Sequence, residues 1–290
     1  CSALTEIVIP ISVQNIEFFA FEGCSSLTNI VIPETLTKIR AHAFKSCSSL
    51  SSIVVAEGNP IYDSRENCNA IIETATNTLI QGSSQTIIPN SVTSIGTEAF
   101  YGCSSLKSIL IPDSVTKIGY NAFSDCSALT EIVIPNNVTS FEGIPFCNCS
   151  SLNSIVVAEG NPTYDNCENC HAIIETATKK LIRGCSQTII PDTVTSIGER
   201  AFDRCSSLTE IVIPKGVKKI ESVAFYICSN LTTITLPAGV NKIERNAFEG
   251  CTSIKAIYVP AQKYDYYYER IPSPFNSLIV EMEPVKKVEE

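Results

Sequence analysis

At 290 residues and 44% apolar content, the chain has material for one large domain or two ordinary ones, with an extensive core. Its 21 basic and 30 acidic residues give a net charge of −9 with no block of like sign, which argues against nucleic acid or an anionic membrane surface as partner. No apolar run approaches the ~18 residues of a membrane span. No charged segment followed by an apolar one opens the chain, which starts at Cys1 and reads as a processed or trimmed form without an export signal.

A fixed step governs the chain from its first residue. Nine of the 14 cysteines, from Cys1, Cys24 and Cys47 through Cys103, Cys126 and Cys149 to Cys205, Cys228 and Cys251, lie 23 or 56 residues apart. Leu4, Leu27 and Leu50 keep the same step, as do Phe21, Phe44, Phe100 and Phe123. The unit reads L-x-x-I-x-I-P-x-x-V-x-x-I-x-x-x-A-F-x-x-C-x-x, cleanly in "LKSILIPDSVTKIGYNAFSDCSA" from Leu106. A period of this length, rich in leucine, predicts a solenoid. In L-x-x-I-x-I the two Ile positions lie two apart, so on a strand both point inward and the residue between them points out. Pro ends the strand because it cannot donate to the ladder. One such coil cannot bury enough to fold alone, so stacking on its neighbours has to supply the rest.

Two longer segments interrupt the step. "IVVAEGNPIYDSRENCNAIIETATNTLIQGSSQTIIP" from Ile53 and "IVVAEGNPTYDNCENCHAIIETATKKLIRGCSQTIIP" from Ile155 are copies offset by 102 residues, within long repeats spanning about 50–89 and 152–191. "EGNP" marks a turn. "AIIETATNTLIQG" carries two short apolar runs around Thr76 and Asn77, the pattern of a β-hairpin, expected to project from the solenoid edge. The second copy contains "CENCH", Cys167 to His171, the spelling of a c-type haem attachment site. In the first copy Arg65 and Asn69 stand in place of Cys167 and His171, so the module does without two of the three required residues. Zinc on Cys167, Cys170 and His171 lacks a second ligand pair. The segment is expected to be a surface turn, with no metal and no cofactor.

The unit with "AFYGCSSL" and "NSVTSIG", together with the "NPIYDSRENCNAIIETATNTLI" insertion, resembles the BspA-type leucine-rich repeats, the Treponema pallidum-like class found in surface proteins of host-associated bacteria and some protists. The likeness covers about residues 1–260. It implies a right-handed curved solenoid with a parallel sheet on the concave face and short turns or 3-10 segments on the convex side. It also implies a secreted or surface-anchored protein, with better-studied relatives that bind host matrix proteins or other cells. The family carries no catalytic residues to transfer.

The outward strand positions form two columns. Val8, Val31, Val54, Leu110, Val133, Val156, Val212, Thr235 and Tyr258 make an almost unbroken apolar stripe. Beside it run Glu6, Asn29, Ser52, Ser108, Glu131, Ser154, Glu210, Thr233 and Ala256. Exposed apolar patches mark interaction sites, although Val is also simply a good strand former that duplication would repeat. Few charges line this face, which favours a protein or glycan ligand over a strongly ionic one.

Other chemistry is weak. The cysteine column falls where other leucine-rich repeats place an apolar residue and reads as buried thiols, with disulfides as the alternative; Cys147, one residue off the column, is expected to be exposed. The two histidines, His42 and His171, occupy unrelated repeat positions, and Glu73 and Glu175 belong to the copied hairpin, so neither acid–base nor glycosidase work is indicated. The sequons at Asn137, Asn148 and Asn230 matter only in a eukaryotic secretory pathway.

From 261 onward the repeat is lost. Four tyrosines, Tyr264, Tyr266, Tyr267 and Tyr268, precede an apolar "SLIVEM" strand candidate. A solenoid must cover its last open coil, so 261–290 is expected to be a cap ending in a loose "VKKVEE" tail, with an aromatic glycan patch as the sharper alternative. Two functions remain open. One is a non-enzymatic recognition module that binds through the concave sheet or the hairpins; the other is a stiff monomeric spacer on the order of 50 Å long, from about eleven coils at ~4.8 Å each.

Overall fold

The computed structural model describes residues 1–167 and 170–283. Its contacts divide the chain into two compact units, Cys1–Leu152 with Val157–Thr163, and Asn153–Val156 with Tyr164–Glu290. The sequence gives no sign of this division, because the 23-residue pattern runs through it. Each unit is a stack of coils built almost wholly of short strands and turns, as the period predicts. The "VKKVEE" tail lies outside the described residues.

A typical coil has a long strand, a short strand and a set of tight corners. In the first unit Asn29–Ile32 and Ser52–Val55 pair in parallel, with Ile30 opposite Ile53 and Ile32 opposite Val55. Ile30, Ile32 and Ile53 are buried while Val31 and Val54 face out, as the two-residue alternation requires. The strand ends at proline, whose carbonyl accepts from the amide three residues on: Pro33 from Leu36 (3.2 Å), Pro135 from Val138 (3.2 Å). The short strands follow, with Lys117–Ile118 between Ser94–Ile95 and Ser140–Phe141. Two further corners then close the coil, in which Cys103 donates to the Phe100 carbonyl (3.0 Å) and Leu106 to that of Cys103 (3.0 Å).

Neighbouring coils are joined along two edges in opposite senses. Beside the short strands the later coil donates, as from Thr116 N to Thr93 O (2.9 Å); at the Ala-Phe corner the earlier coil donates, as from Phe100 N to Ala122 O (2.7 Å). The phenyl rings stack along the same axis. Phe100–Phe123 and Phe202–Phe225 have centroids 5.0 Å apart and nearly parallel planes.

The column cysteines are buried from Cys24 to Cys251, and Cys1 is exposed. They are more than small apolar fillers. Five of the thiols reach back one coil to a phenylalanine carbonyl: Cys47 to Phe21 (3.1 Å), Cys126 to Phe100 (3.2 Å), Cys149 to Phe123 (3.1 Å), Cys228 to Phe202 (3.0 Å) and Cys251 to Phe225 (2.9 Å), whereas Cys103 and Cys205, after the hairpins, reach Gly82 O (3.9 Å) and Gly184 O (3.7 Å). The repeat keeps cysteine because a thiol both fills apolar volume and supplies a weak donor.

The long segments depart from expectation in one respect. Each forms the antiparallel hairpin, Ile71–Glu73 with Thr78–Gln81 and Ala172–Glu175 with Lys180–Gly184, but neither hairpin projects. Thr78–Gln81 continues in parallel onto Ser94–Ile95, and Lys180–Gly184 onto Ser196–Ile197, so the hairpins widen the short-strand sheets. A projecting hairpin would leave its outer backbone groups unpaired, whereas joining the ladder satisfies them. The "EGNP" turn is held by Asn59, whose amide donates to the carbonyls of Pro33 (2.8 Å) and Leu36 (2.9 Å) and accepts from the amides of Ile61 (2.9 Å) and Tyr62 (2.8 Å). Asn161 repeats the contacts on Pro135 and Val138.

At the C-terminus of the second unit the strand Ile279–Glu281 pairs with Ala256–Val259. The helix Tyr264–Tyr268 lies beside it, and the tyrosines divide their roles. The Tyr266 hydroxyl donates to Val240 O (3.1 Å) and that of Tyr267 to Pro237 O, while Tyr264 and Tyr268 stay exposed.

The hairpin meets the next coil with no space to spare. A Cβ on Gly82 would lie 2.1 Å from the Phe100 ring, and one on Gly184 would lie 2.4 Å from Phe202. Gly82→Ala is expected to destabilise by ~3 kcal/mol or more through overpacking, and Phe123→Ala by ~3–5 kcal/mol through the cavity it leaves. Chemical denaturation checks both, and near-wild-type stability in either variant contradicts the stacking described.

Candidate functional site

The outward face of the long strands is the candidate site. In the first unit Val8 is 88% exposed, Val31 53%, Val54 45%, Leu110 80% and Val133 44%. In the second, Val212 is 64% exposed, and Val156, Thr235 and Tyr258 are half-buried. Alternation alone puts these side chains outside, because their neighbours two along fill the core. Val31 lies opposite Val54, and Val8 bridges to Val31. Val212, Thr235, Tyr258 and Val280 are in register on four paired strands. The first run therefore steps valine side chains at ~4.8 Å, and the second steps valine, threonine, tyrosine and valine at the same spacing. Glu131 and Glu210 of the flanking column are exposed.

Two members escaped the sequence reading. Ile87 is 76% exposed and Ile189 77%, and they stand 23 residues before Leu110 and Val212. The signal was present in "TIIP", which keeps I-P with threonine at the first inward position. The length of the inserted segment hid the register.

The ladder behind the stripe is less regular than the pattern implies. Residues 86–89, 108–111 and 188–191 carry the motif but form no strand. In the long repeats the chain's own turn takes the place of the neighbouring coil, since Ile87 N donates to Cys68 O (3.1 Å) and Ile189 N to Cys170 O (3.2 Å).

The haem and zinc spellings resolve differently. Cys167 is half-buried, its thiol donating to Asp165 Oδ2 (2.9 Å), while Cys170 is buried. Glu168 and Asn169 between them lie outside the described residues. Cys185, a third thiol where the first copy has Ser83, turns to the His171 carbonyl (3.4 Å). Among the described residues no three His, Cys, Asp or Glu side chains are grouped to hold a metal ion. Glu73 accepts from the Thr76 hydroxyl (2.6 Å), and Glu175 from that of Thr178, which fixes both in their hairpin turns. His42 pairs with Glu98 across two coils. Cys147 is half-buried. No helix among the described residues is long and apolar enough to cross a membrane.

The repeat profile of the BspA type leucine rich repeat region matches residues 1–87, 80–178 and 182–269 in six copies, well over half the chain. The protein belongs to the BspA-type leucine-rich repeat family. This is a family of non-enzymatic repeat scaffolds. Among solved structures, a leucine-rich repeat protein from Eubacterium ventriosum is 26% identical with a TM-score of 0.53, over 78% of this chain and 59% of that one. The chain thus spans less than two thirds of that protein. A leucine rich cell surface protein from Faecalibacterium prausnitzii is 23% identical, TM-score 0.44, over 88% and 85% of the two chains. The pneumococcal vaccine antigen PcpA is 22% identical, TM-score 0.49, over 84% and 56%. No curated protein matches the chain.

Burial pushes several column thiols up, to about 12 for Cys47 and Cys103 and about 11 for Cys205; Cys170, outside the column, also rises to about 12. The same cause raises the Tyr267 hydroxyl to about 12. Native-state alkylation at pH 7 is expected to modify Cys1, Cys147 and Cys167 and to spare the buried thiols until the protein is denatured, as peptide mapping would show. Because folding raises these pKa values above the unfolded value near 9, their contribution is complete below pH 9 and is lost as pH rises toward 12. Denaturation midpoints are expected to fall across that window, and a flat profile contradicts the burial.

Proposed function

We propose that the protein is a non-enzymatic recognition module, secreted or held at a bacterial cell surface, that binds a protein or glycan ligand through the outward face of its long strands. The exposed aliphatic row supports this reading, above all Ile87 and Ile189. Both are at least 76% exposed at positions that the inserted hairpins gave every opportunity to change. A soluble protein gains nothing for its own stability from isoleucine at so open a position, and apolar side chains aligned along one face are the surface a partner covers. The stripe members are uncharged, which suits a ligand recognised by apolar contact and backbone hydrogen bonding. Family membership supports the location.

The test is binding of the full chain to a panel of extracellular-matrix proteins and a glycan array. Val133→Glu combined with Ile87→Glu is expected to weaken the ligand found at least tenfold with little change in melting temperature, because both side chains are already in solvent. Thr76→Glu, on the hairpin turn, is expected to leave binding intact. Undiminished binding by the double variant would sink the stripe as the contact surface. Failure of every panel member to bind favours the spacer.

A further inference from the structure

The corner of the second coil, 38–47, departs in charge from every other coil. At the Arg40 position the other coils have Glu17, Gly96, Gly119, Glu142, Gly198, Glu221 and Glu244. At the Lys45 position they have Glu22, Tyr101, Ser124, Cys147, Asp203, Tyr226 and Glu249. Only the second coil is cationic at both places, and it carries His42 between them.

This corner is also where the first long repeat is inserted. The hairpin adds strands to the short-strand sheet but no Ala-Phe corner, so 40–47 meets 96–103 directly, with Ser46 N on Tyr101 O (3.3 Å). The strand Thr78–Gln81 passes above. The mismatch leaves a cavity of about 190 Å³ within the first unit, lined by Arg40, His42, Lys45, Gln81, Thr97 and Glu98 among others.

Part of the charge is accounted for by contacts between coils. His42 pairs with the buried Glu98, and the Lys45 ammonium lies 4.4 Å from the centre of the Tyr101 ring. Arg40 is held more loosely, its guanidinium 5.3 Å from the centre of the Phe18 ring of the preceding coil. Its Nε is shielded from solvent with no hydrogen bond, and Glu17 approaches only to 3.7 Å. A shielded guanidinium donor without an acceptor is costly in an empty site and favourable once an oxyanion arrives. Ordinary pockets for drug-sized ligands start near ~300 Å³, so this one is sized for a single charged group.

We infer that the cavity between the second coil and the first hairpin binds a small oxyanion, a phosphate or sulfate group, through Arg40 and Lys45. The site lies away from the long-strand stripe and does not depend on it. Planar guanidinium geometry suits two-point contact with such a group, with the Lys45 ammonium adding a mobile point charge. Glu98 is the carboxylate of the cavity lining, and its Oε2 is already engaged by the His42 ring.

Titration calorimetry on the full chain at low ionic strength tests this with sodium phosphate and sodium sulfate, against sodium chloride at matched ionic strength. One saturable site is expected for at least one of the two oxyanions and none for chloride. Arg40→Gly and Arg40→Glu, which install residues that other coils carry at this position, are expected to weaken binding at least tenfold. Lys107→Glu, an equal charge change on an exposed side chain, is expected to leave it unchanged. N-acetylglucosamine 6-sulfate beside its unsulfated parent distinguishes the source: binding of the ester assigns the site to a glycan-borne sulfate, and binding of the inorganic ions alone assigns it to a free anion. No saturable heat with any oxyanion overturns the inference. So does an equal loss in Lys107→Glu, which would reduce the effect to general screening.

Discussion

The structure depends on one constraint: no coil can satisfy its own backbone or bury its own core. A coil's strand amides and corner amides point along the stack, and an adjacent coil or an inserted hairpin presents carbonyls at the matching height. The opposed directions of donation, Thr116 to Thr93 on one edge and Phe100 to Ala122 on the other, tie each coil to both neighbours. The phenyl column and the thiol column act within that frame. Each needs a partner one step away, so a change at one coil is felt at two interfaces.

That dependence explains what the repeat holds constant and what it releases. Inward positions are fixed because their volume is shared across coils, and the corner prolines and cysteines are fixed because their backbone bonds close the loop. The outward positions carry no such demand, so the residue found there follows strand propensity, duplication history or a ligand. Val31 and Val54 are compatible with the first two. Ile87 and Ile189 sit on backbone outside any strand, so propensity does not explain them; duplication accounts for the second as a copy of the first, and the exposed isoleucine they share is what most favours a ligand.

Much of the coil was legible in the sequence because two-residue alternation and a fixed step are sufficient to place Ile30, Val31 and Ile32. The hairpin was legible too, from two apolar runs around Thr76 and Asn77. Its destination was not, because whether a hairpin projects or joins a sheet depends on a neighbour, here Ser94–Ile95, that no local pattern names. The thiol-to-carbonyl ladder was hidden for a related reason: the spacing marks cysteine as a repeat position, but a partner one coil back appears only once the coils are stacked. The stripe was read with two gaps because counting from the preceding cysteine fails across an insertion, whereas counting back from Leu110 and Val212 succeeds.

The inserted hairpins bring the stack's periodicity into conflict with itself. Each adds strands to one side of the coil and nothing to the corner side, so the two sides cannot advance by the same number of steps. Where the first unit resolves this, glycine at 82 lets the backbone press against Phe100, and a cavity opens beside the one corner whose charges are reversed. A regular solenoid has no reason to hold a void or a shielded guanidinium Nε without an acceptor, since every coil has a neighbour of identical shape. Departures from the repeat are therefore where chemistry other than packing can be accommodated, and Arg40, at a position that is acidic or glycine in the other coils, stands at such a departure.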